Sequence, residues 1–115
     1  CEPCRLELPI LGQFQNWLSD KNMKVVAINV DDDPERILRA KAFWAESKMP
    51  METVDDSKQE IMKLFKIDKL PAHFIINPEG EIISSMIGSY NWLSKDFLDS
   101  LQQELEKPQG SPKNQ

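Results

Sequence analysis

The sequence predicts a single α/β domain, and three observations carry that expectation. Short, β-branched apolar runs alternate with stretches whose apolar residues recur at helical spacing. A Cys-x-x-Cys pair, Cys1-Glu2-Pro3-Cys4, heads the first helical stretch, and Leu70-Pro71 leads directly into an apolar run followed by a turn. At 115 residues with 40% hydrophobic content, the chain supports one modest core and a tail. A net charge of −5 and a pI near 4.9 argue against nucleic acid and anionic membrane surfaces as partners. No apolar run approaches the roughly 18 residues of a membrane-spanning helix. No signal peptide or internal repeat is present, and a chain opening on Cys1 reads as a mature or truncated piece.

One helical turn puts Cys1 and Cys4 on the same face, roughly 5 to 6 Å apart at Cα, within reach of a disulfide. Near the N-cap, free backbone N–H groups and the positive end of the helix dipole favour thiolate, which makes Cys1 the expected attacking sulfur. Cys4, one turn in, is expected to be shielded and to resolve the mixed disulfide. Pro3 suits the first turn, where its missing N–H costs nothing. Zinc would need four ligands, and the chain offers two cysteines and a single histidine, His73. Haem attachment would need His directly after the second Cys, where Arg5 stands. A purely structural disulfide over so short a ring would constrain the unfolded chain little.

In order along the chain, Leu6, Ile10, Phe14 and Trp17, with Leu11 and Leu18 beside them, form the stripe of a buried helix running to about Asp20. Pro9 falls inside it and should bend it. Glu7 has two readings, a solvated helix carboxylate or a half-buried acid that takes or gives the proton of Cys4. Lys24 to Val30 reads as a strand covered on both faces. Asp31-Asp32-Asp33 before Pro34 reads as an N-cap better than as a metal site. A helix over about 34–47 carries Ile37, Ala40, Phe43 and Trp44 on one face. A short strand over 52–54 follows, then a helix from an Asp55-Asp56-Ser57 cap to about Lys66, with Ile61, Leu64 and Phe65 inward. Pro71 suits the first residue of a strand over 72–77, with a cis bond open to it. Asn77-Pro78-Glu79-Gly80 turns the chain into a second hairpin arm over 81–87. A final helix over about 94–105 turns Phe97, Leu98, Leu101 and Leu105 inward, and residues 107–115 compose a disordered tail. His73, alternating with Ala72 and Phe74, reads as a satisfied or partly exposed strand residue ahead of a proton carrier. Lys66 and Lys69 read as solvated ahead of lining a partner groove.

This order of elements resembles the thioredoxin fold, and more closely its TlpA/ResA-like branch of extracytoplasmic thiol-disulfide oxidoreductases. The resemblance spans residues 1 to about 106. It rests on Cys1-Glu2-Pro3-Cys4, Glu7 three residues after Cys4, Pro9, Leu70-Pro71 at the cis-proline position, and Phe74-Ile75-Ile76-Asn77-Pro78-Glu79-Gly80 as the hairpin. The segment from Asp33 to about Val54 looks like the helix and strand that this branch inserts. The resemblance implies Cys1 as nucleophile, Cys4 as resolving thiol and Glu7 as the acid beneath the motif. Glu2, Pro3 and Pro9 would support the motif, while Leu70 and Pro71 would offer backbone to an extended substrate. It implies no cofactor beyond a redox-active Cys1–Cys4 disulfide, and no metal. The implied partners are protein thiols and disulfides and a membrane thiol-disulfide carrier as electron donor. The implied setting is a monomer, periplasmic or membrane-anchored and facing outward, in a pathway such as cytochrome c maturation.

Two departures stand out. Ala72-His73 follow the proline where the family usually has small polar residues. The family's strand leading into the motif, central in the fold between the Val25 and Phe74 strands, has no counterpart in this chain, and a gap with unpaired backbone is expected there at roughly 1 to 3 kcal/mol for each buried group. An upstream extension of the natural protein is the expectation that follows. The rival functional readings are a non-catalytic thioredoxin-like peptide-binding module and a thiol peroxidase, whose relatives generally place their cysteine in a different motif.

Overall fold

The computed structural model describes residues 2–107. The helix headed by the motif, α1 (Glu2–Leu18), is followed by β1 (Val26–Asn29), α2 (Pro34–Ser47), β2 (Glu52–Asp55), α3 (Glu60–Leu64), β3 (Ala72–Ile76), β4 (Ile82–Ile87) and α4 (Lys95–Glu106). The tail expected from residue 107 lies, beyond Lys107 itself, outside the described residues.

Apolar spacing on α1 and α4 builds the core. Phe14 and Leu18 from α1, Leu101 from α4 and Trp92 from the loop before α4 are buried, and Ile75 of β3 and Met86 of β4 pack against them. The expected α1 stripe is corrected at its start. Leu6 is 69% exposed, and Glu7 takes the inward position instead. The buried line runs Glu7, Phe14, Leu18 with Ile10 and Leu11 between, so the helix presents a carboxylate where the stripe predicted an aliphatic group.

Strand β1 pairs with β2 in parallel, Val26 opposite Glu52 and Asn29 opposite Asp55, with α2 as the crossover between them. Asp33 caps α2 as read from the sequence, its Oδ1 accepting from the Glu35 N–H at 3.1 Å. The inward-read face of α2 is half-buried at Ile37, Phe43 and Trp44, and no residue of that helix is fully buried. The helix expected to follow an Asp55-Asp56-Ser57 cap begins later, at Glu60. Asp56 is buried and accepts from the Met62 N–H, while Gln59 provides the entry in a left-handed conformation. Leu64, expected inward, is 77% exposed. So short a helix turns one face to the fold, and Ile61 and Phe65 occupy it, Phe65 meeting Phe74 edge-on at 4.8 Å.

The hairpin of β3 and β4 forms as expected, antiparallel with Ala72 opposite Ile87 and an irregularity between Ile75 and Ile76. Gly80, at φ 84°, closes its turn, where Asn77 Oδ1 accepts from the Glu79 and Glu81 N–H groups. Alternation along β3 sends His73 and Ile75 to the core face and Phe74 to the α3 side.

The two strand pairs remain separate sheets, β1–β2 and β3–β4. A cleft of about 560 Å³ lined by Met23, Lys24, Val26, Ile76, Asn77 and Pro78 opens between the start of β1 and the end of β3, where the resemblance to the thioredoxin fold implies a central strand. This corrects the reading of β1 as covered on both faces. Among the described residues it is paired along one edge alone, and Val26 is 40% and Ile28 42% exposed.

The fold makes a contrast measurable by chemical denaturation. Leu18→Ala, which empties a fully buried site, should cost about 2 to 5 kcal/mol, whereas Leu64→Ala should stay within about 0.5 kcal/mol.

Candidate active site around the motif helix

Helix α1 begins at Glu2, the second residue of the motif, and places Cys4 half-buried in its first turn. Cys4 is disulfide-bonded, and the other cysteine of the sequence, Cys1, lies outside the described residues. Pro3 is exposed in the first turn, Pro9 is exposed within the helix, and Glu2 belongs to its first turn. One turn beyond Cys4, on the same face, Glu7 is 4% exposed. Its Oε2 accepts two hydrogen bonds, from the Tyr90 backbone N–H at 2.8 Å and the Trp92 indole Nε1–H at 2.9 Å. A carboxylate removed from water needs such donors, because an uncompensated buried charge costs several kcal/mol. The solvated reading of Glu7 is thereby overturned.

The other carboxylate oxygen, Oε1, lies 3.0 Å from Nε2 of His73. That distance suits an ion pair once the ring is protonated, but Nε2 is buried without a hydrogen-bond partner in good alignment. Burial of the ring is the largest influence on its proton affinity and pushes the His73 pKa below the usual 6.5, against the opposing pull of the Glu7 charge and a smaller one from the Gly88 backbone. The ring is therefore neutral at neutral pH. It stands edge-on to Trp92 at 4.8 Å, and Trp92 also stacks on Phe14 at 5.5 Å and meets Tyr90 and Phe97 edge-on.

The Leu70–Pro71 peptide bond is cis. Pro71 is buried, its carbonyl accepting from the Gly88 N–H at 2.8 Å, while Leu70 beside it is 41% exposed. His73, two residues further on, links this proline element to Glu7 on the motif helix. Lys66 and Lys69 are exposed. Sequence reasoning singled out Cys4, Glu7, Leu70 and Pro71, but missed Tyr90 and Trp92, which sit in a segment with neither helical nor alternating periodicity. The one available signal was a tryptophan in a polar loop, a residue type that is seldom left in water.

The arrangement can be compared with known proteins. The model of the AhpC/TSA family matches residues 1–85. The chain belongs to the AhpC/TSA family. Among curated relatives, this AhpC/TSA chain is 32% identical over 88 residues to the sporulation thiol-disulfide oxidoreductase A of Bacillus subtilis, covering 76% of this chain and 53% of that protein. It is 25% identical over 89 residues to the thiol-disulfide oxidoreductase ResA of the same organism, covering 77% of this chain and 48% of that protein. It thus spans about half the length of the curated relatives it matches. The crystal structure of StoA from Bacillus subtilis superimposes with a TM-score of 0.72 at 28% identity, over 90% of this chain and 72% of that one. The fold is accordingly thioredoxin-like, as the order of elements implied.

Trp92→Phe tests the clamp on Glu7 in this AhpC/TSA chain. The substitution keeps an aromatic ring but removes one of two donors to a buried carboxylate, and should cost about 1.5 to 3 kcal/mol. In Glu7→Gln/Trp92→Phe the two losses should be less than additive by denaturant titration.

Proposed function

We propose that this chain carries the reactive centre of a thiol-disulfide oxidoreductase of ResA/StoA type. The observation that carries the reading is Cys4, disulfide-bonded in the first turn of α1, one turn before a buried carboxylate tied to the strand behind a cis-proline. The matched relatives named as thiol-disulfide oxidoreductases support it.

In the reducing direction, the Cys1 thiolate attacks one sulfur of a partner disulfide. A Cys1–partner disulfide forms and the partner's other sulfur leaves as thiolate. Cys4 then loses its proton and attacks the Cys1 sulfur, closing Cys1–Cys4 and expelling the second partner thiolate. The partner has gained two electrons and the chain has lost two. Glu7, on the face of Cys4, is the group to take that proton. Leu70 and Pro71 offer backbone to an extended segment of the partner, and Glu2, Pro3 and Pro9 shape the motif helix. No cofactor beyond the cysteine pair enters these steps.

We extend the reading to its setting on the ResA/StoA likeness. The protein is a monomeric reductant working outside the cytoplasm, periplasmic or anchored and facing outward, in a pathway such as cytochrome c maturation. A membrane thiol-disulfide carrier returns its electrons.

Cys1→Ser decides between this reading and a peptide-binding module with a permanently closed disulfide. Turnover of a dithiol reporter by the full-length protein should fall to the uncatalysed background in the variant. In the unmutated reduced protein, alkylation of Cys1 should titrate below the ordinary thiol value of about 8.5. Unchanged turnover, or an ordinary titration, would favour the module.

A further inference from the structure

We infer that His73 is a positioning residue for proton transfer, sharing with Glu7 the proton that Cys4 gives up when it closes the disulfide. The inference rests on the exchange reading above and assigns a role to a residue that reading leaves idle.

Glu7 has one oxygen committed and one open. Oε2 already accepts from the Tyr90 N–H and the Trp92 Nε1–H, which leaves Oε1 as the oxygen able to receive a proton. Oε1 faces Nε2 of His73 at 3.0 Å, and Nε2 is buried with no aligned partner. A neutral imidazole and a carboxylate held this close without alignment interact weakly. With one added proton, a small turn of the ring that brings Nε2 into line with Oε1 gives a charge-assisted hydrogen bond whichever of the two holds the proton. The pair is therefore built to take up one proton one helical turn from Cys4. Around the ring, α1 contributes Glu7, the segment before α4 contributes the neutral Trp92, and the β4 side contributes the neutral Met86 opposite His73 and the Gly88 backbone.

The step balances. A Cys1–S–S–R disulfide and the Cys4 thiol give the Cys1–Cys4 disulfide, R–S⁻ and one proton, and the proton passes to the Oε1–Nε2 pair. In reverse, a partner thiolate attacks Cys1, Cys4 leaves as thiolate, and the pair returns the proton to it.

Reduced full-length protein mixed with an aromatic disulfide reporter releases one coloured thiolate as Cys1 reacts and a second as Cys4 closes the ring. His73→Gln should lower the ratio of second-phase to first-phase rate about tenfold, less than the roughly 10²–10⁴-fold for loss of the acid or base itself because His73 acts through Glu7, and remove an inflection from the second phase's pH profile. A ratio and profile equal to the unmutated protein's would overturn the inference. Loss of both phases in the unmutated protein would refute the exchange reading itself and this role with it. A second measurement needs no folded His73 variant. His73 is the single histidine, so its ring resonance can be titrated by NMR without assignment. Its midpoint should be higher in the oxidised than in the reduced protein, where the Cys4 thiol competes for Oε1, and should drop in Glu7→Gln. A midpoint indifferent to both changes would also overturn the inference.

Discussion

The structure turns on one buried carboxylate. Glu7 occupies an inward position of α1 that the apolar stripe would otherwise give to an aliphatic residue, and its oxygens reach the loop before α4 and strand β3. Removing a charge from water is unfavourable by several kcal/mol, and it persists here because two donors from the segment before α4 converge on one of its oxygens. Those bonds span more than eighty residues of sequence. They tie the motif helix to the aromatic cluster around Trp92, and the His73 contact places the strand behind the cis-proline beside both. The same feature that orients the helix therefore puts an ionisable group one turn from Cys4.

Stability is unevenly distributed around that point. The buried cluster of Phe14, Leu18, Trp92 and Leu101 lies between α1, α4 and the β3–β4 hairpin, which is the half of the molecule that carries the site. The β1–α2–β2 unit has a helix without a fully buried residue and strands with Val26, Ile28 and Val54 open to solvent. The cleft between β1 and β3 separates these halves, and backbone hydrogen bonding does not cross it among the described residues. Groups of low packing density open most readily. The site is on the side that resists opening.

Much of this was legible in the sequence because local chemistry decides it. Asp33-Pro34 announces a helix start, and the Asp33 cap is there. Ser94 opens α4 in the same way, with its hydroxyl accepting from the Phe97 N–H. Asn77 to Gly80 specifies a tight turn, and Pro71 marks the strand entrance. Reading failed where the outcome depends on what packs nearby. Leu6 and Leu64 fit an apolar pattern but lie outward, since helical spacing alone does not choose which of two adjacent stripes meets the core. Val26 and Ile28 read as doubly covered, yet coverage depends on a neighbouring strand. The partners of Glu7 were invisible because Tyr90 and Trp92 reach it only through tertiary folding. His73 was rightly placed in a strand, and its closeness to a carboxylate some sixty-six residues earlier has no local signature.

In the proposed chemistry the first cysteine attacks and the second resolves. Replacing Cys4 by Ala in the full-length protein should block the second step, so that a disulfide-bearing protein or peptide remains covalently attached. Intact-mass analysis without reductant is the direct measurement. One partner should be bound through Cys1 in nearly every molecule and released by added thiol. A Cys4→Ala protein that stays unmodified while the unmutated protein turns the same partner over would contradict it.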